Sequence, residues 1–562
     1  MKSSVYRNGQ TAYIGRIART KFQKPLKSVK TSMTIGKLYP VRWEEVLPGT
    51  NWKSDTSFTC TLTSAYLRPV KDDLFIDHYT FFVPLRLLMD DLENVFGNSN
   101  PSAYTDGGLI EIPSTTSVQT VSSKSVADYL ELPVGSVPPG ISILPFRAFA
   151  LIYNEWIRNQ QVEGEVVIQK GDTVASSEKF NNDAWSPSNY TGKLPNVTRL
   201  KDYFSVAVPS PQKGEAVPLG LSAGFLPLDV SPDGQGHNFT GSNVPLVWFS
   251  DSYPSTDFVP IVADMAQGSL DAYPYGTLIG NSSIRGSHVD TQKLVGSNLG
   301  VDGSVIQSAN VNDLRLAFAL QRMQELDIFG GRYREYLLAH YNVNNGDARM
   351  QVPEFLGGKR CPLFNQTVAQ TSQPSADSPL GALAGFSDTA EARSGAFSKA
   401  FTEHGYIMTI ACIRQRHTYQ QGINVKWTRT QRSDFYDPCF AHIGNQPIWQ
   451  SELFGTGKTD LHDNVFGYKE AWSEYKQSFN VVSGEARSAA PNSLDLYHFA
   501  DNYASAPVLG QQFIEETDDY VARCLAVDPS EQDPFFVDWC FRDTVTLPMP
   551  VNCDPGLIDH RG

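Results

Sequence analysis

The chain has 562 residues and a formal net charge of −14, from 60 acidic side chains against 46 Lys and Arg; 41% of its residues are hydrophobic and 19% charged. That length holds a sizeable core, and a charged share below the typical ~25% points to extensive buried or mutually contacting surface. No run approaches the ~18 apolar residues of a membrane helix, no apolar leader follows Met1, and the seven cysteines form no C-x-x-C pair, so a helical membrane protein, a secreted disulfide scaffold and a zinc ribbon are all excluded.

The amino-terminal stretch is electrostatically one-sided. Before Glu44 there is no acidic residue, whereas Lys2, Arg7, Arg16, Arg19, Lys21, Lys24, Lys27, Lys30, Lys37 and Arg42 are basic. A basic arm over about residues 1–35, with Tyr6, Tyr13 and Phe22 interleaved, suits phosphate contact and stacking on exposed bases. An arm packed on a neighbour's acidic surface is the alternative, and in an assembly the two uses are compatible.

Short β-type runs follow at Leu38-Tyr-Pro-Val-Arg-Trp and Ser57-Phe-Thr-Cys-Thr-Leu-Thr. The dense aromatics of Asp77-His-Tyr-Thr-Phe-Phe-Val-Pro predict a strand covered on both faces, with Pro84 limiting its pairing. A helix is predicted from about Pro145, with Phe149, Ile152, Tyr153 and Trp156 on one packing stripe. A second starts at an Asn312 cap and ends near Gly330-Gly331, and a third starts at Arg332.

Loop-like insertions are predicted at about 163–196, 224–310 and 370–392. The middle one is rich in Gly, Ser, Asn and Asp, has only Arg285 and Lys293 as Arg or Lys, and is too long for a plain loop. Further strands are predicted at Gly405-Tyr-Ile-Met-Thr-Ile-Ala-Cys-Ile-Arg and from Phe535 to Thr546. Strands of one sheet system thus sit at both ends of a mainly β chain.

Little in the sequence points to catalysis. Gly357-Gly358-Lys359-Arg360 resembles a phosphate loop, but Pro353 stands where the first glycine is needed and Arg360 where a hydroxyl is needed. The glycine pair permits a tight turn and close backbone approach. His404 and His417 fall at an odd offset, and acidic pairs such as Glu44-Glu45 and Asp72-Asp73 read as turns or subunit contacts. No catalytic residue, metal ligand or cofactor is assigned.

Several stretches together resemble one family. They are Gly36-Lys-Leu-Tyr-Pro-Val, Glu45-Val-Leu-Pro-Gly, Leu144-Pro-Phe-Arg-Ala-Phe, Tyr153-Asn-Glu-Trp-Ile-Arg-Asn-Gln, Asp347-Ala-Arg-Met-Gln-Val-Pro-Glu-Phe-Leu-Gly-Gly, Asn365-Gln-Thr-Val-Ala-Gln-Thr-Ser and Pro555-Gly-Leu-Ile-Asp-His. In this order they are similar to the major capsid proteins of microviruses, small tailless single-stranded DNA bacteriophages, especially the gokushovirus-like branch.

The resemblance implies a single eight-stranded jelly-roll β-barrel over residues 36–562, with large loop and helical insertions. It also implies sixty copies in a T=1 icosahedral shell around circular single-stranded DNA, made in the bacterial host cytoplasm and residing in the virion. Its partners would be other copies of itself, the genome, minor pilot and DNA-binding virion proteins, an internal scaffolding protein and a host surface receptor. DNA contact is expected from Arg7, Arg16, Arg19, Lys21, Lys24 and Lys27. In such a shell Gly357-Gly358 would open a connector to the later strands, with Lys359 and Arg360 at an intersubunit or inner-surface contact or in a solvated turn. The 224–310 insertion would form a protrusion at threefold axes, where Trp248, Tyr253 and Tyr273 could serve host attachment or glycan binding. A β-rich carbohydrate-active or carbohydrate-binding protein is the rival reading.

Overall fold

In a computed structural model, residues 6–7, 10–11, 19–97, 111–174, 178, 180, 183–214, 229–230, 246–250, 259–261, 294–297, 299–300, 311–326, 333–343, 351–369, 383–393 and 396–552 are described. The chain divides into two units, Gly214–Glu325 and the remainder. The larger unit is built on strands β1 (Lys27–Met33), β2 (Leu38–Val46), β3 (Asn51–Leu62), β4 (Leu74–Pro84), β5 (Glu354–Ala369), β6 (Leu383–Arg393), β7 (Gly405–Gln415) and β8 (Phe535–Leu547). Their pairing is nested and antiparallel: β1 with β8, β2 with β7, β3 with β6 and β4 with β5.

Two further ladders, β3 with β8 and β4 with β7, tie these pairs into the orders β1–β8–β3–β6 and β2–β7–β4–β5. The two sets join through β5, which pairs with β4 up to Leu363 and with β6 from Phe364. The long excursions leave from the β4–β5 and β7–β8 connections.

Periodicity explains the core. In β3 every second residue from Trp52 to Leu62 is buried, as a half-covered sheet requires. By contrast, β4 and β7 are buried almost throughout, because the helix α1 (Leu144–Ile152) covers their second face. Between the sheets, the Phe58 and Trp539 rings lie 4.8 Å apart, and the His78 ring stands 5.6 Å and 5.7 Å from them. Burying each large aromatic contributes on the order of 2 kcal/mol. A separate cluster, including Phe204, Tyr419, Phe466 and Phe513, gives the β7–β8 excursion its own core.

Three expectations change. The basic arm expected over 1–35 ends by Thr20, since Thr20–Gln23 and β1 both pair with β8. Its basic composition hides a period of two, in which Thr20 and Phe22 are partly buried while Lys21 and Gln23 are exposed. Gly357-Gly358 makes no connector turn but lies inside β5, beside a bulge between Phe355 and Gly357. A Cβ on Gly358 would meet the His78 carbonyl oxygen at 2.4 Å, so glycine serves close strand approach. The α1 helix passes into a π-turn at Tyr153–Ile157, leaving Trp156 36% exposed with its Nε1 donating to the Pro353 carbonyl at 3.0 Å.

The second and third predicted helices are α2 (Val311–Leu326) and α3 (Tyr333–Tyr341). Of the predicted insertions, the described residues of 163–196 are largely irregular backbone, 224–310 falls within the Gly214–Glu325 unit, and 370–382 of the 370–392 stretch lies outside the described residues.

Candidate nucleic-acid interface

The outward face of the β1–β8–β3–β6 sheet is polar because alternate positions of each strand leave the core. On it Lys21 stands opposite Thr546, while Gln23 and Lys53 flank Thr544 from either side. Lys21, Lys30, Lys53 and Arg542 are exposed. Lys30 is held by Asp538 at 3.0 Å and Asp55 stands opposite Arg542, so part of this charge is neutralised within the sheet.

The predicted arm residues divide into two groups. Arg19 and Lys21 are exposed, with the Arg19 guanidinium lying against Gly49, and both are open to an external anion. Lys24 and Lys27 are engaged internally. Lys24 Nζ lies 2.9 Å from Glu44 and 4.3 Å over the Trp52 ring, and Lys27 Nζ lies 3.3 Å from Glu44 and 2.8 Å from Glu131.

Burial alone would raise the Glu44 carboxyl. The Lys24 hydrogen bond and the Arg42 charge outweigh it and hold Glu44 below the usual carboxylate range. Glu44, read from sequence as a turn or subunit-contact residue, is therefore the internal counter-ion of Lys24 and Lys27. Arg7 lies in the Tyr6–Arg7 strand, its side chain outside the described residues, as is all of Arg16.

In the smaller unit Trp248 sits on Leu246–Ser250, opposite Val259 on one neighbouring strand and Ser297 on the other. Tyr253 and Tyr273 lie outside the described residues.

Two buried polar clusters have no sequence signature, because their members are far apart along the chain. Asp77 accepts from Arg360 Nε at 2.8 Å and Arg414 Nε at 3.0 Å. This places Arg360 of the glycine-lysine motif in an ion pair across strands. Beyond β7, His417 lies between Asp501 and Glu516, with Arg199 on the far carboxylate oxygen of Asp501. The acidic pair residue Asp72 accepts from the Phe499 backbone N–H at 2.5 Å. Cys60, Cys361, Cys412 and Cys524 are buried, whereas Cys439 is exposed. Among the described residues no group of three or more His, Cys, Asp or Glu side chains could hold a metal ion, and no helix is long and apolar enough to cross a membrane.

The arrangement offers a hydroxyl-rich sheet face on which Lys21 and Lys53 stand exposed, suited to sequence-independent phosphate contact. A family model described as "Capsid protein (F protein)" matches residues 11–557. The capsid protein VP1 of Spiroplasma virus 4 is 34% identical over 551 residues, covering 96% of each chain. That of Bdellovibrio phage phiMH2K is 34% identical over 543 residues, 94% of each. That of Chlamydia phage 1 is 31% identical over 579 residues, 96% of each.

Proposed function

The chain belongs to the capsid protein (F protein) family, in the gokushovirus-like branch of the microviruses, and from that premise we propose that it is the major shell subunit, sixty copies of which close a T=1 icosahedron around circular single-stranded DNA. The observation that carries this reading is the nested pairing of β1–β8, β2–β7, β3–β6 and β4–β5. First with last, second with second-last and so on inward is the wiring of an eight-stranded jelly roll, which folds two antiparallel sheets together and frees its loops for neighbour contacts. Closed symmetric assembly also accounts for the low charged share of so long a chain.

Arg7, Arg16, Arg19 and Lys21 contact the genome through phosphate, while Lys24 and Lys27 reach it only by exchanging Glu44 and Glu131 for DNA. The 224–310 insertion, carrying Trp248, Tyr253 and Tyr273, stands at the threefold axes and attaches the particle to a bacterial surface receptor. Assembly takes place in the host cytoplasm with an internal scaffolding protein, and the virion includes minor pilot and DNA-binding proteins.

Nuclease treatment of purified particles tests this reading. Closed shells that protect a circular single strand are expected, whereas shells without protected DNA would remove the genome-enclosing role. Deleting 224–310 is expected to leave shells intact and abolish adsorption to host cells; unchanged adsorption would remove the receptor assignment.

A further inference from the structure

From Gln421 to Pro447 no residue is buried, although this loop lies between the buried strand β7 and the Phe466 core. Its shape is fixed by local bonds and not by a core. Asn424 Oδ1 accepts from the Lys426 N–H at 3.0 Å, Asp434 Oδ2 from the Thr430 and Gln431 N–H groups at 2.8 Å and 2.7 Å, and Asp437 Oδ1 from the Cys439 N–H at 2.9 Å. Trp472 Nε1 anchors the far end, donating to the Phe440 carbonyl at 2.9 Å. Arg429 anchors the near end, 2.7 Å from Glu474 and 4.5 Å over the Tyr475 ring.

This pre-shaped loop displays Trp427 at 84% exposure, Phe435 at 52%, Tyr436 at 49%, Phe440 at 38% and Ile443 at 49%. Scattered exposed apolar residues need no explanation, but five within one rigid loop mark a surface that something covers. Fixing the loop in advance also lowers the ordering cost of binding.

Charge identifies the occupant. The chain carries −14, so two copies repel over most of their surfaces. With Arg429 paired to Glu474, Lys426 and Arg432 balance Asp434 and Asp437, so the loop carries no net negative charge and receives an acidic copy without the repulsion met elsewhere. A nucleic acid fits less well. Arg429 is already committed to Glu474, and Asp434 and Asp437 stand beside the exposed rings.

We infer that the Gln421–Pro447 loop is a contact surface between copies of this chain, with Trp427 and Phe435 as its anchors. This rests on the shell reading above and adds to it which surface the neighbouring copy covers.

The test compares particles made from a phage genome encoding Trp427→Ala together with Phe435→Ala against wild-type particles. At least a tenfold loss of shells is expected, while the unassembled variant melts within a degree or two of wild type, since the loop contributes nothing to the core. Maleimide labelling of the exposed Cys439, mapped by peptide, is expected to be rapid in dissociated chains and suppressed in shells.

Wild-type shell yield from the variant, or equal Cys439 labelling in both states, overturns the inference and leaves the shell reading standing. A wild-type chain that forms no shells overturns both. Oligothymidine binding that is lost in the variant with shell yield unchanged assigns the loop to nucleic acid and overturns the inference alone.

Discussion

His417 Nδ1 lies 2.7 Å from Asp501 Oδ1, with both side chains buried, and this contact joins the end of β7 to the chain segment that leads into β8. Glu516 lies 3.2 Å from the other ring nitrogen, while Arg199 and the Tyr503 hydroxyl each reach Asp501 Oδ2 at 2.7 Å. Burial alone would lower the imidazole pKa; the Asp501 and Glu516 carboxylates outweigh it and lift His417 to about 9. A histidine raised above its unfolded value of about 6.5 stabilises fully below that pH and loses the contribution as pH rises through about 9. The denaturant midpoint of the unassembled chain is therefore expected to fall between pH 6.5 and 9.5. His417→Gln is expected to cost about 3 to 5 kcal/mol at pH 6.5 and to flatten that slope; an equally steep slope in the variant would count against this assignment.

Asp77 gives the opposite pH dependence. Burial would raise its carboxyl, but the Arg360 hydrogen bond and the Arg414 charge hold it below the usual range. Its stabilisation is present above the unfolded value of about 3.9 and is lost as pH falls through the lower folded value. Asp77→Asn leaves two guanidinium groups without their counter-ion and is expected to cost about 3 kcal/mol at neutral pH, read by denaturant titration. A loss below about 1 kcal/mol would show that solvent already screens the cluster.

Gly358→Ala places a methyl group against the His78 carbonyl and the Tyr79 ring. A loss of about 1 to 3 kcal/mol is expected from thermal or denaturant melting. Gly171, with nothing within 4 Å of an added Cβ, serves as the control. Its alanine variant is expected to stay within about 0.5 kcal/mol of wild type.

The division of the basic segment sets how the arm must be cut. Removing residues 1–18 leaves the Thr20–Gln23 and β1 pairings with β8 intact and is expected to lower genome content without changing the melting temperature of the unassembled chain. Removing residues 1–33 strips both pairings and is expected to destabilise the chain itself. Full DNA content in particles lacking 1–18 would place the genome contacts elsewhere, with Lys21 and Lys53 the next residues to reverse in charge.

The strands were legible where the apolar period was strong, as at Gly405–Arg414, Phe535–Thr546 and the doubly covered run before Pro84. Elsewhere composition misled. The lysines of Thr20–Met33 read as a solvated arm because only Phe22, Val29 and Met33 mark the inward positions of those strands. Gly357-Gly358 read as a tight turn with close backbone approach; the close approach is there but the turn is not, because glycine signals both and only the neighbour strand's position separates them. The Asp77 and His417 clusters bring together residues from 84 to 337 positions apart, which no local pattern records. The Gln421–Pro447 loop drew no reading from sequence, because buried and exposed aromatics look alike in composition and only the fold separates them.

The most direct test of the shell account is the mass of the assembled particle, measured by light scattering or native mass spectrometry after removal of DNA. Sixty copies of the 62.2 kDa chain predict a protein shell of about 3.7 MDa. A stable species of only a few chains, under conditions in which the phage itself is produced, would contradict the account.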